Sequence, residues 1–297
     1  MDIELELCYK YSRQLLKHHS KSFYISTLLL PRHIQKAVFA LYGFCRFADN
    51  LVDKPRNRPK EDLIREIHCM EDELRSAYRS GESEHPIICS FVNTARQYQI
   101  PLEYPLELFK GVLMDVEHQH YKDFDELHLF CHRVAGVVGL MMTHILGYTN
   151  DKAFDYAEKL GVAMQLTNIL RDIQEDKNNG RIYLPIDEMK RFNIYEDDIV
   201  EEKYSSPFKK LMQFSADRAH QYYEEAQSGI KMLNKACQFA IYSASSIYRK
   251  ILDEIENNDY NPFRGRVYVS QSKKIGIILS HYLRGKYYAS SIKVQNT

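Results

Sequence analysis

The chain has 297 residues, enough to bury a sizeable core, with 40 Lys and Arg balanced by 40 Asp and Glu. A net formal charge of zero argues against a dedicated nucleic-acid surface, which carries net or clustered positive charge. An apolar share of 44% fits a soluble globular protein, and 22 Tyr and 14 Phe without any Trp would furnish either a core or a long greasy cleft.

Glycine and proline are scarce, at 12 and 9, and apolar residues recur at three- and four-residue spacing. That period predicts helices over 3–18, 33–53, 60–79, 86–98, 104–120, 124–147, 151–176, 206–234, 235–257 and 272–286. Turn chemistry separates them at Pro31, 54–55, 81–86, 100–101, 147–150, 178–180 and 257–262. Alternating apolar and polar residues are confined to a short extended piece at 181–184, so the expected class is all-α, one helical domain over 1–297. The first residues, MDIELELCYKYSRQ, are charged and lack a signal-peptide pattern. The longest apolar run, 134–146, holds Thr143 and His144 and is too short to span a bilayer. Cys8, Cys45, Cys69, Cys89, Cys131 and Cys237 are scattered without a CxxC pair, the pattern of reduced thiols in a cytoplasmic protein.

Two helical segments carry acidic stripes. In 41–53, LYGFCRFADNLVD, Asp49 and Asp53 are four apart and share a helix face, which Arg46 and Tyr42 extend toward the N-terminus. In 165–176, QLTNILRDIQED, Asn168, Asp172 and Asp176 recur every four residues with Gln165 on the same side, opposite Val162, Leu166, Ile169, Leu170 and Ile173. Like charges at this spacing repel, and a bound dication would relieve them. Oxygen ligands of this kind suit Mg2+, which takes a few carboxylates, waters and substrate phosphates. A lone DxxxD is most often a solvated helix face. Two such stripes about 120 residues apart can face each other across a cleft, hold ions on both walls and turn bound diphosphates into leaving groups. Tyr and Phe faces would shelter the resulting allylic cation.

These segments resemble the aspartate-rich motifs of the squalene/phytoene synthase family. Asp49-Asn-Leu-Val-Asp53 is similar to its DxxxD, and Asn168-Ile-Leu-Arg-Asp-Ile-Gln-Glu-Asp176 to its NxxRDxxED. In the same order, HSKSF at 19–23 resembles the family's N-terminal substrate motif and CHRVAGVVG at 131–139 its glycine-bearing helix. GRIYLP at 180–185 resembles the stretch after the second acidic motif, and RVYV at 266–269 the C-terminal arginine motif. The resemblance implies an all-α isoprenoid synthase bundle around a central cleft and a head-to-head coupling of two prenyl diphosphates. It implies that Asp49, Asp53, Asp172 and Asp176 hold Mg2+ (or Mn2+) with Asn168 supporting. It assigns diphosphate oxygens to Lys21, Arg46, Arg171 and Arg266, with His19, Ser20, Ser22, Gln165, Tyr183 and Tyr248 in the substrate site. Phe23 and Tyr42 would line the hydrocarbon channel. Arg offers a planar fork for phosphate and Lys a mobile point charge.

The chain departs from the family pattern at Asn50, where many relatives carry a second acid, and at Phe130, where many carry a tyrosine. Loss of a proton and uptake of a hydride by the final cation therefore both stay open. NADPH would enter only with a squalene product, and no dinucleotide glycine motif is visible. Substrates of 15 and 20 carbons differ by one isoprene unit; geranylgeranyl diphosphate and phytoene are the expected pair, farnesyl diphosphate with squalene, dehydrosqualene or presqualene diphosphate the alternative. A hydrocarbon substrate also implies transient membrane contact. Gly136 and Gly139 inside a helix each cost about 1 kcal/mol against alanine, so a second helix or the substrate comes close there. Three rival readings remain: a di-iron bundle, from Glu82-x-x-His85 and Glu117-x-x-His120, a non-catalytic lipid-binding scaffold, and, within the same fold, a terpene cyclase or a chain-elongating synthase, whose usual DDxxD pairs neither acidic motif here forms.

Overall fold

In the computed structural model the apolar spacing becomes a succession of helices: α1 (Ile3–His19), α2 (Lys21–Thr27), α3 (Arg32–Asp53), α4 (Lys60–Ser80), α5 (Pro86–Gln97), α6 (Glu103–Glu117) and α7 (Phe124–Cys131). A π-helical turn (His132–Gly136) joins α7 to α8 (Val137–Leu146), and α9 (Lys152–Asn178) follows. Then come α10 (Ile186–Arg191), α11 (Glu196–Val200), α12 (Ser206–Gln227), a 3-10 turn (Ser228–Met232), α13 (Lys235–Asn257), a second 3-10 turn (Pro262–Arg264) and α14 (Gln271–Val294). The structure describes residues 3–53, 59–117 and 120–294, without the side chains at 3, 21–22, 52–53 and 283–294.

Local chemistry sets the ends. Gly81 closes α4 at φ 88°, a left-handed conformation that costs glycine no Cβ clash. Pro86 opens α5, where its missing N–H leaves nothing unsatisfied. Asp123 caps α7 by accepting from the Glu126 N–H at 3.0 Å, and Ser205 caps α12 by accepting from Phe208.

Two apolar clusters form the interior. One joins α3, α4, α5, α6 and α8, with Phe44 stacked on Phe91 at 4.0 Å. The other joins α7, α9, α12 and α13 around Phe208, Leu170 and Leu252. Val134, in the π turn, packs against both. Helix α9 runs through the middle, touching α7, α8, α12, α13 and the π turn. It buries Val162, Leu166, Ile169, Leu170 and Ile173 and leaves Gln165, Asn168, Asp172 and Asp176 half-buried on the other side.

The observed helices follow the predicted ranges with four differences. The short helices α2, α10 and α11 fall between turn residues and are too brief to show a period. The predicted helix 206–234 breaks into a 3-10 turn after Gln227. The extended piece at 181–184 supplies one isolated bridge, Ile182 to His120. The run 134–146 belongs to a continuous 23-residue helical stretch, Phe124–Leu146, long and apolar enough to cross a membrane; half of its most apolar window is buried inside the protein, where it packs against α6 and α9.

Candidate active site

The C-terminal half of α9 presents Asn168, Arg171, Asp172 and Asp176 to a polar cavity whose opposite wall holds Asp49 from α3 and Asp115 from α6. The two acidic stripes do face one cleft. Asp53 is the last residue of α3, and its side chain, like those of Lys21 and Ser22, lies outside the described residues.

Arginines hold the centre of this cavity. Arg171 clamps Asp172 with both arms, Nε at 2.8 Å and Nη2 at 2.6 Å. Arg266 reaches the same carboxylate with Nε at 3.0 Å and binds Glu175 at 2.9 Å. Two of the four basic residues expected on diphosphate oxygens thus rest on the carboxylate expected to hold metal. Among the described residues, no three His, Cys, Asp or Glu converge closely enough to hold an ion. Deeper in, Asp115 pairs with Arg181 at 2.8 Å and accepts from the Tyr183 hydroxyl. Burial pushes the Asp176 carboxyl up to about 8, reinforced by the Asp172 charge and opposed by Arg181.

One atom bears on what this site can hold. The Asn168 Oδ1 is buried without a hydrogen-bond partner, while Nδ2 donates to Gln165 Oε1 at 3.3 Å. A buried, unsatisfied oxygen costs about 1–3 kcal/mol. An oxygen without a donor, followed on the same helix by carboxylates four and eight residues on, suits a hard cation, so this donor set fits Mg2+.

Two further cavities meet the polar one. An apolar cavity shares Val134, Gln165 and Asn168 with it and runs on between α8, α9 and α13. A mouth lined by His19, Ser20 and Phe23 of the N-terminal motif shares Arg171 with the polar cavity and Phe23 and Tyr248 with the apolar one. Arg266 borders this mouth. Tyr42 stacks on Phe23 with ring centres 5.7 Å apart, and its hydroxyl is pushed up to about 12 by burial, Asp49 adding to the shift and Arg46 opposing it. Burial, with the nearby Arg46 charge, also lowers the His19 pKa.

Phe130 stacks on Tyr183 at 5.3 Å, and both line the polar cavity, where the Tyr183 hydroxyl donates to Asp115. His132 turns away to Glu158, 2.8 Å distant on α9. Gly139 and Gly161 are packing glycines: a Cβ on either would lie 2.3 Å from a carbonyl oxygen of the facing helical segment. Helix approach therefore accounts for Gly139, which also borders the apolar cavity. Sequence reasoning missed Arg181; its signal is a lone cation in an otherwise apolar stretch, RIYL. Asp115, equally at home in a core, on a surface or at the cleft mouth by sequence, belongs to the polar cavity. The di-iron reading fails on placement: Glu82 and His85 lie in the turn before α5, and α6 ends at Glu117, before His120.

A family model described as squalene/phytoene synthase matches residues 16–273. The chain is 35% identical over 291 residues to the phytoene synthase of Arthrospira platensis, covering 94% of this chain and 93% of that protein. It is 35% identical over 294 residues to the 15-cis-phytoene synthase of Synechocystis, covering 95% and 86%. A crystal structure of a dehydrosqualene synthase in complex with ligand superposes with a TM-score of 0.87 at 29% identity, over 97% of this chain and 98% of that one.

Proposed function

The chain belongs to the squalene/phytoene synthase family and is an enzyme of prenyltransferase type, and from that premise we propose that it couples two geranylgeranyl diphosphates head to head into phytoene. The observation that carries this reading is the junction of an acidic and basic cavity with an apolar one at Gln165 and Asn168. A diphosphate belongs on the first side of that junction and its hydrocarbon on the second.

Asp49, Asp53, Asn168, Asp172 and Asp176 would hold Mg2+, or Mn2+ in its place. The ion, when bound, neutralises diphosphate charge and improves the leaving group. Arg171 and Arg266 would exchange the Asp172 carboxylate for diphosphate oxygens, which match the same planar fork. Lys21, Ser20, Ser22 and His19 would serve the substrate at the mouth. The first diphosphate leaves, and the allylic carbon bonds to the C2–C3 double bond of the second substrate. One proton departs as a cyclopropane closes. The second diphosphate leaves, the skeleton rearranges to the 1–1′ bond, and a second proton departs. Apolar walls exclude water from both cations, and the stacked Phe130 and Tyr183 rings offer π faces toward them. No reductant enters this balance. A cytoplasmic location with transient contact at a membrane surface would suit the hydrocarbon substrate and product.

The test is a product assay with Mg2+ and either farnesyl or geranylgeranyl diphosphate, with and without NADPH, read by mass spectrometry. A C40 hydrocarbon, lost in Asp172→Ala, is the expected result. Folded protein that couples neither substrate would return the cyclase and scaffold readings.

A further inference from the structure

The apolar cavity has a direction. Along α9 it is lined by Asn168, Met164, Gly161, Ala157 and Ala153, nearly one residue per turn. Along the facing helix it is lined by Val134, Val138, Met142 and Leu146, four apart. The chain turns at Gly147 and re-enters helix at Lys152, so Leu146 and Ala153 sit at the same end, away from the acidic stripe. That end is sewn shut. The Thr149 N–H donates to the Met232 carbonyl at 2.8 Å, the Asn234 N–H donates to the Gly147 carbonyl at 2.9 Å, and Tyr148 bridges Leu233. Ile230 and Leu233 complete the wall.

We propose that this closed end measures the prenyl chain, with Ala153 as the residue that leaves room for a fourth isoprene unit. The proposal rests on the reading of the site as a head-to-head prenyl diphosphate synthase. From Asn168 to Ala153 the helix rises 1.5 Å per residue over fifteen steps, about 22 Å. A geranylgeranyl chain has sixteen main-chain carbons, and at about 1.25 Å of advance per bond, counting the bond to the diphosphate oxygen, it extends about 20 Å. A farnesyl chain extends about 15 Å on the same basis. The longer chain reaches the floor. The shorter one leaves the last turn of the cavity empty, and that turn's walls lose their contacts.

One isoprene unit, about 5 Å long, matches one helical turn of 5.4 Å. Ala153 and Ala157 are therefore successive marks on a rule. Ala153 is 2% exposed, and its small side chain lines the closed end together with Leu146, Ile230 and Leu233. A leucine there would occupy the space of the terminal unit, and a leucine at Ala157 the space of the terminal two.

The experiment offers equimolar farnesyl and geranylgeranyl diphosphate, with Mg2+, to the full chain and to Ala153→Leu, Ala153→Val and Ala157→Leu. It reads the ratio of C40 to C30 hydrocarbon, alongside a melting curve for each variant. Wild type is expected to favour C40. Ala153→Leu should shift the ratio toward C30 by about tenfold or more while coupling of farnesyl diphosphate continues, and Ala153→Val should shift it less. Ala157→Leu should couple neither chain well while remaining folded. A folded Ala153→Leu or Ala153→Val with the wild-type ratio overturns the gauge, as does a wild type indifferent to chain length. A wild type that couples neither substrate overturns the underlying reading instead.

Discussion

Gly139 lies so close to α9 that a methyl on its Cα would sit 2.3 Å from the carbonyl oxygen of Ala157. Backbone meets backbone there, with no side chain to give way. Gly139→Ala should therefore cost about 2 kcal/mol or more by forcing the helices apart. At Gly276, in α14, an added methyl would meet nothing within 4 Å, so Gly276→Ala should be neutral or stabilise by up to about 1 kcal/mol. Urea denaturation of the two variants reads the contrast directly.

Arg266 is more than a third exposed, so its ion pairs add little to stability. Its removal should leave the melting temperature within about 2 °C of wild type. The effect should appear in kinetics, with Arg266→Ala raising KM for the prenyl diphosphate about tenfold or more, because a charge-assisted fork to phosphate is lost. Arg266→Lys should recover only part, since an ammonium cannot make both bonds in one plane. Steady-state rates against substrate concentration decide it.

Asp115 is half-buried on the cavity wall, where Arg181 pairs with it and Tyr183 donates to it. Arg181→Leu should destabilise the fold by about 1–3 kcal/mol, because it removes the opposite charge from a largely desolvated carboxylate. Replacing both partners, in Arg181→Leu with Asp115→Leu, should restore much of that loss. A double-mutant cycle in denaturant gives the coupling.

His132 and Glu158 supply a pH signature. Glu158 accepts from His132 and lifts the imidazole pKa above its ordinary 6.5, against the opposing effect of burial. Stabilisation by the charged ring is full below about 6.5 and fades as pH rises through the lifted value. The same bond holds the Glu158 carboxyl below its ordinary 4.5, so its share is present above that value and fades as pH falls through the depressed one. Glu158→Gln should thus lower the melting temperature most near pH 5 to 6, by about 2–4 °C, and progressively less above about pH 7. Parallel melts across pH 5 to 8 test it; a difference that does not change with pH would sink the assignment.

Periodicity carried the long helices because each has one apolar face: the DxxxD of α3 and the four-residue ladder of α9 could be placed on helix faces from letters alone. What lay beyond reach depends on tertiary approach. Nothing in the letters around His132 marks a π turn, yet that turn places Val134 against both apolar clusters. The glycines at 136 and 139 signalled a close neighbour without naming it, since helix and hydrocarbon both need the missing Cβ. The family resemblance marked Arg171 and Arg266 for phosphate; Arg171 grips Asp172 as its neighbour in the chain, whereas the grip of Arg266 follows from the return path of the chain after α13. Arg181 stayed hidden because a single cation in an extended stretch has no periodic partner.

The bond between Arg266 and Asp172 spans 94 residues of sequence. A ribosome adding about 5–20 residues per second releases Asp172 roughly 5–20 s before Arg266. For that interval Asp172 has the adjacent Arg171 but lacks its second clamp, and the apolar walls of α13 are not yet complete. The last-made stretch of the chain therefore acts as a latch: Asp172 receives its second arginine only once α13 has docked and the following loop has turned back over it. A message truncated before residue 266 would yield a bundle with most of its helices and Asp172 held by Arg171 alone.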